Sequence, residues 1–216
     1  MLFRSNPAGD TISLKVIRLR AKEPKAAILL NPGGPGGSGI DYVKAAEYVT
    51  TARLRKNFDI VGFDPRGVAS STPVECLTDK QTDELIAADG SPDNSSEIKH
   101  ITDLMETMAS ECAAKSSPLY EHVDTVSAAR DIDVLRAALG QPSLYWLGKS
   151  YGTFLGATYA DLFPTNVGRM VLDGAIDPQL SNEELSHGQA LGFDNAIRRF
   201  IADCPNHDDC PLTGSV

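Results

Sequence analysis

The pentapeptide Gly-Lys-Ser-Tyr-Gly at residues 148–152 constrains the fold more than any other stretch of the sequence. A short apolar run at 144–147 precedes it and is typical of a buried strand, whereas residues 153–163 have a helical pattern. A strand, a sharp turn and a helix in this order present the Ser150 hydroxyl at the carboxyl end of a sheet. The flanking glycines leave no Cβ atoms where the strand and helix backbones approach each other most closely. We therefore expect Ser150 to be a nucleophile.

The remainder of the 216-residue chain repeats this alternation of short apolar runs and helical patterns, which predicts an α/β fold. An alternating stretch at 11–20 predicts an outer, half-exposed strand. Further continuous apolar runs predict buried parallel strands. These runs are 26–30, 60–63 and 170–172.

Two segments between these runs carry apolar residues at helical spacing. They predict one helix over 98–112 and a second over 126–139. The second helix is well bounded, because Asp124 or Thr125 is suited to its N-cap and Gly140 to its end.

The charge of the chain excludes some classes of partner. It has 20 Lys and Arg against 29 Asp and Glu, a formal net charge of −9, and no basic stripe. This balance argues against nucleic acid or an anionic membrane as a partner.

The apolar stretches are far shorter than the roughly 20 residues that span a bilayer, so we expect no membrane span. The first ten residues also lack the apolar core of a signal peptide, so we expect any export signal to lie outside this sequence.

The four cysteines allow three interpretations. Cys76 and Cys112 flank a long polar insertion, while Cys204 and Cys210 are separated by five residues in a turn-like stretch that contains His207. Two disulfides, free buried thiols and a zinc site all remain open, although the spacing is unusual for zinc ligands. Two disulfides are the favoured interpretation, and they imply an oxidising compartment.

A glycine-rich loop, Asn-Pro-Gly-Gly-Pro-Gly-Gly-Ser-Gly at 31–39, follows the predicted strand at 26–30. A loop with so little side-chain bulk leaves backbone N–H groups free to point at a ligand. It lacks the Gly-Lys-Ser/Thr ending of a phosphate-binding P-loop and fits a dinucleotide fingerprint poorly. We interpret it as an oxyanion loop, in which an amide of Gly33 or Gly34 joins the amide of Tyr151.

Three stretches together resemble a known family. Read in order, NPGGPGGSG, FDIVGFDPRGVASS and GKSYGTFLGATYADLFPTNVGRMVLDGAIDP look like the α/β-hydrolases of the prolyl aminopeptidase and secreted tripeptidyl aminopeptidase group. The resemblance covers roughly residues 10–210, with Pro32 where many members carry His. It implies an α/β-hydrolase fold, with a mostly parallel sheet, helices on both faces, the last strands missing at the C-terminus and the start of a helical lid.

The resemblance also implies roles for individual residues. Gly34 and Tyr151 would supply the oxyanion-hole amides, and Arg66 would be a structural residue packed near the site. It implies a serine exopeptidase that releases residues or short peptides from the N-termini of peptides, through an acyl-enzyme on Ser150. It implies no metal or organic cofactor. Because the group is largely secreted and carries cysteine bridges in these regions, it also favours disulfides and a secreted or cell-envelope location.

The catalytic base and acid of such an enzyme are not evident in the sequence. In the family they follow the nucleophile, on loops after later strands. The histidines His100, His122, His187 and His207 lie in inserted helices, the lid-like segment or the cysteine loop. Asp173 follows a strand, but the resemblance makes it part of a structural turn. We therefore expect a chain that lacks the catalytic Asp and His and is nearly inert alone. A fragment of a longer enzyme is the favoured explanation, beside a truncated gene product and a chain completed by a second polypeptide.

The same reasoning divides the chain. We expect residues 1–178 to form the N-terminal part of the hydrolase core, with a polar helical excursion at 71–120, and residues 179–216 to begin the lid. Within the lid, Glu183 or Glu184 is a weak candidate for binding a peptide ammonium group, and a solvated helix start is the better explanation of both.

Two alternatives remain beside the exopeptidase. An elbow and an oxyanion loop serve any acyl transfer, so an esterase or lipase acting on small esters fits the same motifs. A catalytically inactive binding protein that keeps the hydrolase fold is the alternative of a different class.

Overall fold

One five-stranded sheet organises the computed structural model, which describes residues 9–212. The strands lie in the order β1-β3-β2-β4-β5, with β1 antiparallel to β3 and the other neighbours parallel. The predicted mostly parallel sheet is therefore confirmed. In chain order the strands are β1 (Val16–Leu19), β2 (Ala27–Asn31), β3 (Asp59–Phe63), β4 (Leu144–Lys149) and β5 (Val167–Asp173).

The first strand is shorter than the alternation at 11–20 predicted. Residues before Val16 bond to a loop instead of a neighbouring strand: the Ser13 carbonyl accepts the Thr72 N–H at 2.9 Å. The Lys15 N–H donates to Ser71 Oγ at 3.0 Å. Because these backbone groups are already paired with the loop, strand pairing begins only at Val16.

Helices fill the connections between the strands. The predicted helices at 98–112, 126–139 and 153–163 are all present, each within a few residues of its expected limits. The helices are α1 (Gly39–Lys44), α2 (Ala46–Val49), α3 (Ala52–Asn57), α4 (Asp79–Ala87), α5 (Ser95–Ser116), α6 (Thr125–Ala138), α7 (Tyr151–Leu162) and α8 (Asn182–Asp203).

The ends of α6 follow the residues that the sequence proposed for them. Asp124 rather than Thr125 is the N-cap, and its carboxylate accepts the Ser127 N–H at 2.8 Å. Gly140 follows the helix with a φ of +67°, the left-handed conformation that commonly ends a helix.

The core lies on both faces of the sheet. Alternate residues of β2 point to opposite faces, so Leu29 joins a large buried cluster and Leu30 a smaller one. The larger cluster includes residues of α6 and α7, such as Ile132 and Leu155, and the smaller includes Val43 of α1. Helices therefore cover both faces, as predicted.

Strand β5 differs from the prediction that it is buried. It pairs with β4 on one side, and most of its residues are exposed. The side chains of Val171 and Leu172 are 58% and 37% exposed. The expectation of burial for this strand is wrong for the described residues, because none of them forms a strand on its far side.

The polar excursion contains α4 and α5 and is closed by a disulfide. Cys76 and Cys112 are bonded across 36 positions of sequence. The Lys115 ammonium also donates to the Cys76 carbonyl at 2.9 Å. These contacts fasten the end of α5 to the chain that enters the excursion.

The chain divides into two compact units, Met1–Ala175 and Ile176–Val216. The second contains α8, whose N-cap Ser181 forms a reciprocal capping box with Glu184, and a disulfide between Cys204 and Cys210. The assignment of this unit to the start of a lid stays a prediction.

Both predicted disulfides are thus present, and none of the four cysteines is free to bind zinc. Within residues 9–212, no helix is both long enough and apolar enough to cross a membrane.

Candidate active site

Ser150 lies at the turn between β4 and α7 and has a backbone conformation that is rare for its residue type. Its φ is +52° and its ψ is −124°. Positive φ is uncommon outside glycine, and such strain costs about 1–3 kcal/mol where it persists. The surrounding structure must therefore hold this turn, which exposes the Ser150 side chain at the start of a helix.

Main-chain and side-chain hydrogen bonds hold the strained turn. The Ser150 N–H donates to the carbonyl of Asp173, at the end of β5, at 3.0 Å. The Ser150 carbonyl accepts both the N–H of Thr153 at 2.8 Å and the Thr153 hydroxyl at 2.7 Å. Strand β5 and the first turn of α7 thus fix the serine from two directions.

The glycines beside the serine are required by close packing. A Cβ at Gly148 would overlap the carbonyl of Gly152, and a Cβ at Gly152 would lie 2.8 Å from both oxygens of Asn31. Real Cβ atoms do not approach other atoms this closely. The strand and helix therefore meet as tightly as the motif predicted.

The glycine loop at 31–39 contacts this turn directly. A Cβ at Gly33 would lie 2.5 Å from the Lys149 carbonyl oxygen and 2.9 Å from the Tyr151 nitrogen. Gly33 also has a φ of +93°, which side-chain-bearing residues rarely adopt. The two motifs, 109 or more positions apart in sequence, therefore meet at one place because β2 and β4 are neighbours.

The N–H groups near Ser150 differ in whether they are already bonded. The Gly33 N–H donates to the Asn31 side-chain oxygen at 3.0 Å, so it is occupied. Among residues 9–212, the Gly34 N–H has no acceptor. Tyr151 is the first residue of α7, and its N–H has no acceptor within the helix. Of the two loop amides considered in the sequence analysis, Gly34 is the one left available.

The α7 N-terminus favours negative charge at this point. Unpaired N–H groups and the helix dipole place a partial positive charge at the first turn, beside Ser150. The Lys149 ammonium adds a full positive charge nearby; contacts first with Tyr42 and then with Asp173 raise its pKa. Its distance to the Asp173 carboxylate is 3.5 Å, so that carboxylate faces Lys149.

The side chain of Tyr151 is anchored away from its own amide. Its hydroxyl lies 2.9 Å from the Thr125 hydroxyl at the start of α6. Burial raises the pKa of this phenol, so it stays protonated at neutral pH. The anchor links the residue after Ser150 to α6, a contact that the sequence analysis did not anticipate.

Arg66 has the structural role that the family resemblance implied. It is buried, and its guanidinium forms two hydrogen bonds with the Asp131 carboxylate, at 2.7 and 2.6 Å. A third bond, at 3.0 Å, reaches the His122 carbonyl. Arg66 therefore ties the loop after β3 to α6.

Asp64 also supports the glycine loop, although the sequence analysis gave it no role. Its carboxylate accepts the Ser38 hydroxyl at 2.6 Å and the Ser70 N–H at 3.0 Å. Ser38 is in turn the N-cap of α1, which follows the glycine loop. An aspartate directly after a predicted buried strand was the signal in the sequence, and the structure shows that Asp64 is fully buried.

The four histidines lie at exposed or partly buried positions. His207 contacts Asp203, 3.1 Å away on the same segment, and His100 lines a groove between α4 and α5. Between positions 9 and 212, no histidine or carboxylate is hydrogen-bonded to the Ser150 hydroxyl. No group of three His, Cys, Asp or Glu side chains in the described part of the chain is arranged to hold a metal ion.

The sheet order, the turn at Ser150 and the loop that meets it define a class of fold. A family profile described as the α/β hydrolase fold matches residues 26–216. The chain belongs to this family.

Its relatives include proteins that are named as hydrolases. It is 42% identical over 210 residues to the protein named serine protease Hip1 of Mycobacterium tuberculosis. That match covers 95% of this chain and 40% of the relative. It is 40% identical over 183 residues to a protein of Streptomyces lividans named tripeptidyl aminopeptidase. That match covers 81% of this chain and 34% of the relative. It is 40% identical over 213 residues to a protein of Mycobacterium tuberculosis named carboxylesterase B. That match covers 95% of this chain and 40% of the relative. The chain thus spans about two fifths of the length of these relatives.

Proposed function

We propose that this chain belongs to a serine hydrolase that acts as an exopeptidase, releasing residues or short peptides from the N-termini of peptides. One observation carries the proposal. Ser150, held in a strained turn at the start of α7, lies beside a glycine loop whose Gly34 amide has no acceptor among residues 9–212. A nucleophile and amide donors in one place are what acyl transfer needs.

The chemistry begins at the serine hydroxyl. Ser150 Oγ attacks the scissile carbonyl carbon and loses its proton to a general base, while the carbonyl oxygen becomes an oxyanion. The amides of Gly34 and Tyr151 donate to that oxyanion. The amine of the downstream peptide then leaves with a proton, and water hydrolyses the acyl-enzyme on Ser150. Removing one amide donor from such a hole costs about 10²–10³ in rate.

The base and its orienting acid come from outside the described residues in this proposal. A serine hydroxyl has a very high pKa, and activation by a nearby base is required for it to react. Support comes from the lack of any histidine or carboxylate bonded to Ser150 within positions 9–212, and from the family order in which both follow the nucleophile.

The proposed substrate is a peptide with a free N-terminus. Two of the relatives are named as a serine protease and a tripeptidyl aminopeptidase. No metal or organic cofactor takes part in the steps proposed. Of the two glutamates considered for binding the substrate ammonium group, Glu184 uses its carboxylate to cap α8 at Ser181.

The test uses the full-length protein that contains these residues. Aminoacyl- and tripeptidyl-arylamides with a free amine are compared with the same substrates acylated at the N-terminus, and Ser150→Ala is the control. The proposal predicts turnover of the free-amine substrates only, lost in Ser150→Ala. Equal turnover of blocked and free substrates contradicts the exopeptidase assignment.

A second candidate is an esterase that acts on small esters, and one observation favours it. The relative named carboxylesterase B matches 213 residues, and the named protease matches 210, so each covers 95% of this chain. Comparing p-nitrophenyl esters with aminoacyl-arylamides separates the two. An esterase turns over the esters and is indifferent to a free amine.

We further propose a secreted or cell-envelope location. The two disulfides support it, because such bonds persist mainly in oxidising compartments. Fractionation of the source cells followed by thiol alkylation tests it: the protein should be found outside the cytoplasm with all four cysteines unreactive. A cytoplasmic protein with four alkylated cysteines contradicts the proposal.

A further inference from the structure

Asn31 is a polar residue in an unusually buried position. It is the last residue of β2 and is only 1% exposed. Its partner in the sheet register is Gly148, the glycine that enters the turn at Ser150. A buried amide side chain at the end of a strand needs hydrogen-bond partners, so its contacts report what it does.

The Asn31 side chain bonds to the loop that follows it. Its Oδ1 accepts the N–H of Gly33 at 3.0 Å, a bond between residues two apart of the kind that shapes an Asx turn. The bond fixes the orientation of the peptide before Gly33. The Gly33 carbonyl in turn accepts the Gly37 N–H at 3.0 Å, which closes the loop.

The same side chain also contacts the other half of the candidate site. Asn31 Oδ1 and the Asn31 carbonyl both lie 2.8 Å from where a Cβ of Gly152 would be. Gly152 is the second residue of α7, directly after Tyr151. One buried side chain therefore touches the loop that carries Gly34 and the helix turn that carries Tyr151.

We propose that Asn31 is the positioning residue of the oxyanion hole. By occupying the Gly33 N–H, it leaves Gly34 as the loop donor, and by packing against Gly152 it sets the separation between the Gly34 and Tyr151 amides. It acts through these amides and does not touch the substrate. This inference rests on the proposed acyl-transfer function of Ser150.

The chain offers a matched control at the opposite end of the same strand. Gln141 Oε1 accepts the N–H of Ala27, the first residue of β2, at 3.0 Å. Each substitution removes one side-chain acceptor from a backbone N–H: that of Gly33, just after β2, for Asn31, and that of Ala27, at the start of β2, for Gln141. Gln141 contacts the end of β2 opposite to the end that meets the turn at Ser150. Gln141→Ala therefore shows the effect of losing such a hydrogen bond away from the candidate site.

The experiment compares Asn31→Ala, Asn31→Ser and Gln141→Ala in the full-length protein. For Asn31→Ala we expect kcat to fall about 10–100-fold with KM within about twofold, because a hole that is misplaced loses part of what one donor contributes. The affinity for a peptide boronate, which mimics the tetrahedral intermediate, should fall by the same factor as kcat/KM. Serine hydroxyls form the same local bond more weakly, so Asn31→Ser should lie between wild type and Asn31→Ala. Gln141→Ala should keep wild-type kcat.

The outcomes separate the two proposals. If wild type turns over substrate but Asn31→Ala and Gln141→Ala have equal kcat, the role assigned to Asn31 is wrong and the proposed function stands. A loss confined to KM also overturns it. If Asn31→Ala does not fold, Asn31→Ser decides, because the proposal requires it to lower kcat and boronate affinity together. Wild type that neither turns over acyl substrates nor reacts at Ser150 overturns both proposals.

Discussion

The strands on either side of β4 give Ser150 two very different surroundings. On one side, the β2 flank is defined as β2 with the loop at 31–39; β2 itself is paired with strands on both edges and is largely buried, whereas residues 34–36 of the loop are exposed. Its loop packs against the turn at Gly33. On the other side, the β5 flank, defined as β5 itself, is paired on one edge and mostly exposed among the described residues. It contributes a main-chain carbonyl, that of Asp173, to the turn.

The difference separates the two tasks of an acyl-transfer site. Holding an oxyanion needs backbone amides in a fixed arrangement, and two neighbouring strands with a glycine loop and a helix start supply these locally. Activating a serine needs a base and an acid, which are side chains on further loops. In the proposed function, the β2 flank therefore carries the loop amide of the site, while the base is not found among the described residues.

The largest expected effect is at Ser150 itself. Ser150→Ala and Ser150→Gly should both lower kcat by about 10⁶ in the full-length protein, since loss of the nucleophile removes all triad-dependent catalysis. Ser150→Gly should be about 1 kcal/mol more stable than Ser150→Ala, because glycine accepts the positive φ without strain. Steady-state kinetics and urea denaturation measure the two effects. Equal stability of the two variants would contradict the strain assigned to this turn.

The next effect is on stability and concerns the buried ion pair that ties the loop after β3 to α6. Asp131→Ala leaves the buried Arg66 guanidinium without its carboxylate and should lower the free energy of unfolding by about 3–5 kcal/mol. Asp194→Ala is the control: it removes an exposed pair with Arg198 and should cost at most about 1 kcal/mol. Denaturant titration of both variants provides the measurement. Equal losses would show that the buried pair contributes no more to stability than the exposed one.

A pair of glycine substitutions tests whether contact or backbone strain matters in the loop. Gly33 and Gly36 have similar φ values, +93° and +97°, but a Cβ at Gly33 would strike the Lys149 carbonyl, whereas a Cβ at Gly36 would meet nothing within 4 Å. Gly33→Ala should therefore lower kcat by about 10²–10³, the cost of losing an oxyanion donor. Gly36→Ala should lower stability with much less effect on kcat. If the two variants have the same kcat, the loop does not act through its contact with the turn.

The smallest effect is expected at the Tyr151 hydroxyl. Tyr151→Phe removes the bond to Thr125 and should cost about 1 kcal/mol of stability, while kcat stays within about twofold of wild type. The reason is that the role proposed for Tyr151 belongs to its backbone amide, which the substitution keeps. Parallel measurements of melting temperature and kcat check this. A kcat loss as large as that of Gly33→Ala would assign the hydroxyl a direct role.

Local patterns were sufficient to predict most of the fold. The strand at 144–147, the helix start after Asp124 and the end at Gly140 depend on short-range periodicity, capping and backbone freedom, and each is where these rules placed it. The cysteine pairs were favoured but not determined from spacing. Only the fold shows that Cys76 and Cys112 are close enough to bond.

Features that depend on neighbours in space could not be predicted in the same way. The apolar run of β5 does not reveal whether anything covers it, because burial is set by what packs against a strand. The bond from Asn31 to Gly33 and its packing on Gly152 require the register of β2 with β4. The choice of Gly34 over Gly33 as the available amide follows from that same side chain, which the sequence analysis had not considered.

Covalent labelling of the full-length protein tests the central claim most directly. A fluorophosphonate probe reacts with serines that are activated and held beside an oxyanion hole. Intact and peptide mass spectrometry should show a single adduct on Ser150, absent from Ser150→Ala and formed much more slowly in Gly33→Ala than in Gly36→Ala. No adduct, or an adduct on another serine that persists in Ser150→Ala, would contradict the assignment of Ser150 as the nucleophile.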